Sequence, residues 1–331
     1  VRPPAFWVSP PDRPGWQARA LGPLAALYAA ATARRVRRPG THPGVPVICA
    51  GNLVAGGAGK TPTVIALAAR LARRGITAHA VSRGYGGALD GPVRADPARH
   101  TAADTGDEPL LLSAFLPVWV ARDRLAGAQA AAAAGAQAIL LDDGFQNPDP
   151  AKDLSLVVVD AGTGFGNGRV LPAGPLREPV SEGLKRADLV LAIGEAADQA
   201  RFAATWGRGL PVPLVTGRLA PLATGMDWHG LRALAFAGIG RPEKFFASLR
   251  AAGADLVRVV PLDDHQPIGD ALLARLEAEA RAAGAQLVTT EKDAVRLLPA
   301  ARERVLTFPV RLELDDWTVI DRALDRLFPS G

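Results

Sequence analysis

Residues 45–75 join an apolar run, VPVICAG, to a glycine-rich turn, NLVAGGAGK, and then to TPTVIALAARLARRG, which has helical periodicity. Few folds accept that succession. A short apolar run ending in glycine reads as a strand covered on both faces. Val64, Ile65, Leu67, Ala68 and Leu71 fall on one side of the following segment, and Gly75 supplies a helix stop. Strand, glycine turn and amphipathic helix in that order make one βα unit of a parallel sheet.

The pattern continues along the chain. TAHAVS, PVWVA, AQAILLDD, LSLVVVD and ADLVLAIG are further strand candidates, with Ala-rich helical stretches such as AGAQAAAAAG between several of them. From about residue 228 it restarts: LRALAFAGIG, a helix over 242–252, LVRVVP, the helix GDALLARLEAEARAAG and QLVTTEKD. The expected architecture is a P-loop NTPase-like α/β fold, a mostly parallel sheet flanked by helices, with a smaller C-terminal α/β domain and an N-terminal interfacial helix. Its segments are 1–40, 41–225 and 226–331. With 331 residues the chain has room for about two domains.

The glycine turn has the chemistry of a phosphate-binding loop, although its spelling departs from G-x-x-x-x-G-K-[ST]: the position five before Gly59 is Val54. Gly56, Gly57, Ala58 and Gly59 let backbone N–H groups turn inward, and the start of the helix adds partial positive charge. Lys60 is placed to reach the β- and γ-phosphates, and the Thr61 hydroxyl to ligate Mg²⁺. Val54 supplies neither charge nor ligand, so losing the glycine there costs the pattern more than the chemistry. AILLDDGFQ provides the acidic strand end that such a loop requires, at Asp142 and Asp143.

Two further polar features stay open on the residues alone. Asp107 and Glu108 precede an apolar helix, where they suit either a helix start or a general base for a hydroxyl nucleophile. His265, one of five histidines, stands between acids in LDDHQPI; opposite Asp107 across two domains it would orient that carboxylate. Arg83, Arg124 and Arg177 have the planar fork that suits phosphate, and also the make-up of ordinary surface ion pairs.

Charge narrows the partners. Residues 13–89 contain eleven Arg or Lys and no Asp or Glu, whereas residues 90–331 contain 26 basic against 32 acidic residues. The positive field is therefore N-terminal. There, Trp16, Leu21, Leu24, Leu27 and Tyr28 recur at helical spacing before Arg34, Arg35, Arg37 and Arg38. That pattern fits either a core-packed helix or one lying in the headgroup layer of an anionic leaflet. The apolar run 20–33 is shorter than the ~20 residues a spanning helix needs. Few aromatics accompany the arginines, which argues against nucleic acid. TTEKD lacks the N-K-x-D of a guanine-specific switch. The single cysteine, Cys49, excludes an intrachain disulfide.

Taken together, LGPLAALY…RR, GNLVAGGAGKTP, SRGYGG, GDEP, LDDGFQ, GNGRVLPAGPLREP, Asp264-His265 and TTEKDAVRL resemble, in content and order, the tetraacyldisaccharide 4'-kinase (lipid A 4'-kinase) family over nearly the whole chain. The resemblance implies transfer of the ATP γ-phosphoryl group to the 4'-hydroxyl of tetraacyldisaccharide 1-phosphate, giving lipid IVA. It implies a two-stranded linker between the domains and an active site in the cleft between them. It also implies peripheral attachment at the cytoplasmic side of the bacterial inner membrane. Carried onto matching positions, it makes Asp107 the catalytic acid–base residue, His265 its partner and Lys60 a catalytic cation. Arg124, Gln146 and Arg177 join the loop in the ATP site, and Thr61, Asp142, Asp143 and Glu178 are the Mg²⁺ set. No feature calls for nucleic acid or an obligate protein partner. Asn147 and Gln266 stand where the family usually has histidines.

Overall fold

A computed structural model describes residues 3–329; residues 1, 2, 330 and 331, which the expected segments 1–40 and 226–331 include, lie outside the described residues. The large sheet is built from β1 (Val47–Gly51), β2 (Ala78–Ser82), β3 (Val93–Arg94), β4 (Val118–Val120), β5 (Ala138–Asp142), β6 (Leu154–Asp160), β7 (Leu189–Ile193) and β8 (Leu214–Pro221). The smaller sheet takes β9 (Arg232–Ala237), β10 (Asp255–Pro261), β11 (Gln286–Thr290) and β12 (Leu306–Phe308); β13 (Val310–Leu314) returns to the large one.

The large sheet has the order β13-β8-β7-β6-β1-β5-β2-β4-β3. It is parallel except at its edges, where β13 pairs antiparallel with β8 and β3 with β4. β1 lies at its centre between β5 and β6, so the segment leaving β1 emerges at the carboxyl edge of three adjacent strands, where open α/β sheets hold their ligands. β1, β2, β5 and β7 are buried throughout, which is why their sequences read as continuous apolar runs. The helix Lys60–Ala72 turns Val64, Ile65, Leu67, Ala68 and Leu71 inward, the face expected from periodicity.

β10-β9-β11-β12 form a wholly parallel second sheet over a separate core containing Trp228, Phe245, Phe246 and Phe308. The chain enters this unit along β8 and leaves along β13, so the connection is two antiparallel strands. The unit is shorter than the expected 226–331. Residues 310–314 extend the large sheet, and the amphipathic helix Thr318–Leu327 buries Ile320, Ala323 and Leu324 against it. Arg70 and Arg74 on the helix Lys60–Ala72 fasten that last helix by pairing with Asp321, and Arg74 also with Asp325.

The N-terminal segment folds as two helices, Gly15–Ala20 and Gly22–Val36. Ala25 and Thr32 are buried beneath the second, and Leu21, one of the residues at helical spacing, packs on the core. Trp16, Leu24, Leu27 and Tyr28 are exposed, as are Arg34, Arg35, Arg37 and Arg38. No described helix is long and apolar enough to cross a membrane.

Candidate active site

The loop after β1 is held open from outside. Val54, at the position where the common motif has glycine, forms an antiparallel bridge with Leu176. Around it Ala55 N–H donates to the Pro175 carbonyl (2.8 Å) and Arg177 N–H to that of Leu53 (2.7 Å). An extended backbone needs no glycine there, which accounts for the valine. Gly56 has φ +122°, and a Cβ added to Gly56 or Gly57 would meet nothing within 4 Å, so the space inside the turn is free for a phosphate chain. Gly59, at φ +90°, caps the helix, and a Cβ there would lie 2.7 Å from the Ile193 side chain. Asn52 braces the turn by donating from Nδ2 to the Gly56 carbonyl (3.1 Å).

Behind the loop the β5 end brings Asp142 and Asp143 together in different states. Thr61 Oγ1 donates to Asp142 Oδ2 at 3.1 Å, while Asp142 Oδ1 is buried with no hydrogen-bond partner. Burial, aided by the nearby Glu108 carboxylate and opposed by Lys60, pushes the Asp142 carboxyl up to about 7. A carboxylate oxygen with no donor, beside a threonine hydroxyl on a phosphate loop, fits a divalent cation. Asp143 has a left-handed backbone (φ +59°), uncommon for a residue with a side chain. Arg124 Nη2 holds its carbonyl at 2.7 Å, and Arg177 grips both its carboxylate oxygens at 2.8 and 3.1 Å, with Lys60 Nζ 3.8 Å away. Burial opposes ionisation of Asp143, but Lys60 and Arg177 outweigh it and hold the carboxyl below its usual range.

Glu178, expected in the Mg²⁺ set, is engaged by protein partners. Arg186 Nη2 donates to both its oxygens at 2.8 and 2.9 Å, and Gln146 Nε2 donates to one of them at 3.1 Å. With Glu178 buried and its oxygens already engaged, its carboxylate orients Gln146, which also holds the Asn52 carbonyl (2.8 Å). Arg83 is exposed and has no salt bridge among the described residues.

A second cluster joins the two sheets. Gly106 (φ +87°) starts the helix Asp107–Leu112 where a Cβ would lie 2.6 Å from the Tyr85 carbonyl. The Asp107 side chain engages the helix start through Oδ1, which accepts the Glu108 backbone N–H at 2.9 Å. Its Oδ2 faces His265 Nδ1 at 2.9 Å, with Arg296 Nε at 3.7 Å and Lys292 Nζ at 4.0 Å, all from the smaller unit. Burial raises the Asp107 carboxyl, but the His265 hydrogen bond and the charges of Lys292 and Arg296 hold it below the usual range. His265 has φ +58°, and its hydrogen bond to Asp107 raises the imidazole above its ordinary value. Lys292 also pairs with Glu108 at 3.1 Å. A second tie lies at the end of β6, where Arg241 Nη1 and Lys244 Nζ converge on Asp160 Oδ2 at 2.9 and 2.7 Å.

The structure thus brings Lys60, Thr61, Asp142, Asp143, Arg124, Gln146 and Arg177 into one group, and Asp107 with His265 into an adjoining one. Sequence reasoning missed Lys292 and Arg296 as site residues. Two cations four residues apart in TTEKDAVRL were the available signal, but without the pairing of β9 and β11 nothing directs them toward Asp107.

Fold and loop define a phosphate-loop α/β protein whose nucleotide edge meets a second unit, the second unit's His265 pairing with Asp107 of the first. The chain belongs to the tetraacyldisaccharide-1-P 4'-kinase family, whose profile matches residues 17–328. It is 67% identical over 100% of its length and 99% of the relative's to the tetraacyldisaccharide 4'-kinase of Dinoroseobacter shibae. The corresponding protein of a Jannaschia species is 60% identical, over 99% of each chain. Among solved structures, the fold is shared with LpxK from Aquifex aeolicus, crystallised in complex with ATP, at a TM-score of 0.71 and 23% identity over 94% of this chain and 99% of that one.

Proposed function

We infer that the chain transfers the γ-phosphoryl group of ATP to the 4'-hydroxyl of tetraacyldisaccharide 1-phosphate, the step that yields lipid IVA in lipid A biosynthesis. Family membership supplies the reaction. The observation that carries the mechanism is the 2.9 Å contact between Asp107 and His265, which sets a buried, ionised carboxylate beside the phosphate loop.

In this reading the glycine turn and Lys60 cradle the phosphates, and the arginines near Asp143 stabilise charge on the moving group. Mg²⁺, when bound by Thr61 and Asp142, would neutralise charge on the phosphate oxygens. Asp142 is the direct ligand because its Oδ1 is unengaged, whereas both oxygens of Asp143 are held by Arg177. Asp107 accepts the proton of the sugar hydroxyl as the new O–P bond forms, and His265 fixes the carboxylate's orientation. His265 comes from the smaller unit and Asp107 from the larger, so the base is complete only with the cleft closed.

The N-terminal helices supply the membrane contact in this reading. Leu24, Leu27 and Tyr28, at helical spacing, are exposed on the helix whose Ala25 faces the protein, and four exposed arginines follow. Apolar contact plus basic charge suits the anionic inner leaflet, on the cytoplasmic side, where enzyme and acyl-chain substrate meet in two dimensions. The test is incubation with γ-labelled ATP and tetraacyldisaccharide 1-phosphate in detergent micelles. Label is expected on the lipid 4'-position; protein that binds ATP and transfers no label would overturn the reading.

A further inference from the structure

Lys292 lies where two carboxylates and an imidazole meet, and its geometry decides more than charge balance. Its ammonium group is 3.1 Å from Glu108 Oε1 and 3.4 Å from His265 Nε2. Burial works against its charge, but Glu108, Asp107 and Asp264 outweigh burial and keep it protonated. An ammonium has protons to give and no lone pair to receive one. The ring nitrogen facing it must therefore be the bare one, which leaves the imidazole proton on Nδ1, pointing at Asp107 Oδ2 2.9 Å away.

Other groups around the ring do not compete on equal terms. Asp264 Oδ1 would favour a proton on Nε2, but lies 3.8 Å off, beyond hydrogen-bond reach. Tyr85 meets the ring edge-to-face at 5.9 Å between centroids, and Arg296 addresses Asp107, not the imidazole.

We propose that Lys292 is a positioning residue that keeps a second proton off His265 Nε2, so that the imidazole stays neutral with its proton on Nδ1 and Asp107 stays a competent base. This rests on the base role given to Asp107 above. A carboxylate paired with a full imidazolium accepts a proton less readily than one bonded to neutral imidazole. Lys292 opposes the second proton directly, because an Nε2–H would point at an ammonium. In the reaction the hydroxyl proton passes to the Asp107 carboxylate, the sugar oxygen forms its bond to phosphorus, and the bond from the γ-phosphorus to the leaving oxygen breaks. The imidazole keeps its single proton throughout.

The experiment uses the full chain labelled with [¹⁵N]histidine and long-range ¹H–¹⁵N correlation through a pH titration. The His265 signals among five histidines are assigned by their loss in His265→Gln. Wild-type His265, once neutral, is expected to carry its proton on Nδ1. In Lys292→Met the neutral form keeps its proton on Nδ1, because the Asp107 carboxylate 2.9 Å away can only accept, but the imidazolium persists to higher pH. The acid limb of the kcat profile moves up with it, costing about tenfold in activity below that limb for each pH unit of displacement, with the KM for ATP little changed. Lys292→Arg retains a cationic donor and restores the wild-type pattern. An Nε2-protonated wild-type ring, or a Lys292→Met variant whose His265 titration and kcat profile are unchanged, overturns the proposal. A wild-type ring that is still an imidazolium at the pH of maximal kcat overturns the proposal whether or not the variant folds. Failure of the wild type to phosphorylate the lipid would instead overturn the kinase reading and leaves the spectrum unaffected.

Discussion

Replacing Asp160 by asparagine removes the charge on which Arg241 and Lys244 converge, and with it one tie between the sheets. The asparagine oxygen still accepts the Gly162 N–H that Asp160 Oδ1 holds at 2.9 Å, so the local turn survives. The Asp160 side chain is 12% exposed and its partners 41% and 40%, so both contacts are partly screened. Exposed pairs contribute about 0.2–1 kcal/mol each. Both here share one largely buried oxygen, so together they favour the closed cleft by about 1–2 kcal/mol, a factor of roughly 5–30. If closure completes the Asp107–His265 pair, kcat/KM for the lipid should fall by up to that factor in low salt. Screening weakens the wild-type tie at 1 M salt, where the Debye length drops to ~3 Å, so the gap should narrow. The assay is initial-rate label transfer from ATP for wild type, Asp160→Asn, Arg241→Gln and the double variant. A variant within twofold of wild type in low salt, with the same salt dependence, refutes the link between this tie and turnover.

The pairing of His265 with Asp107 predicts a stability profile as well. His265 is raised above its unfolded value of about 6.5, so its stabilisation is full below that pH and is lost as pH rises through the raised value. Asp107 is depressed, so its share is present above the ordinary carboxylate range and is lost as pH falls through the lowered value. The melting-temperature gap between wild type and His265→Gln should therefore narrow from pH 6 to pH 9; a pH-independent gap contradicts the pairing. On the N-terminal helix, Leu24→Glu and Leu27→Glu should each weaken co-sedimentation with anionic vesicles by about tenfold, since burying a leucine contributes about 1.5–3 kcal/mol. Unchanged binding would remove this face from the membrane contact.

What could be read ahead of the structure follows from how local each signal is. The phosphate loop, its strand and its helix lie within one stretch, so periodicity, glycines and Lys60-Thr61 speak together, and the buried face of 60–72 matches its spacing. Asp142 was legible as an acid at the end of an apolar run. Its difference from Asp143 was not, because that depends on Arg177 arriving from 34 residues away along the bridge through Val54. The partners of Glu178 were hidden for the same reason: its arginine, Arg186, is ordinary in sequence and meets it only after folding. The return of residues 310–327 to the large sheet was equally hidden. Helix Thr318–Leu327 shows an amphipathic face, but periodicity does not say which sheet the face covers. Asp107 and His265 are 158 residues apart, and the residues alone left both open.

The most direct test of the account is the turnover of Asp107→Asn, measured by label transfer from ATP to tetraacyldisaccharide 1-phosphate beside its ATP affinity by calorimetry. Asparagine fills the same space and still accepts a hydrogen bond from His265, but it cannot take up the hydroxyl proton. The account predicts a kcat lower by about 10²–10⁴-fold, the usual contribution of a general base, with ATP binding retained. A variant that binds ATP and turns over near the wild-type rate contradicts it.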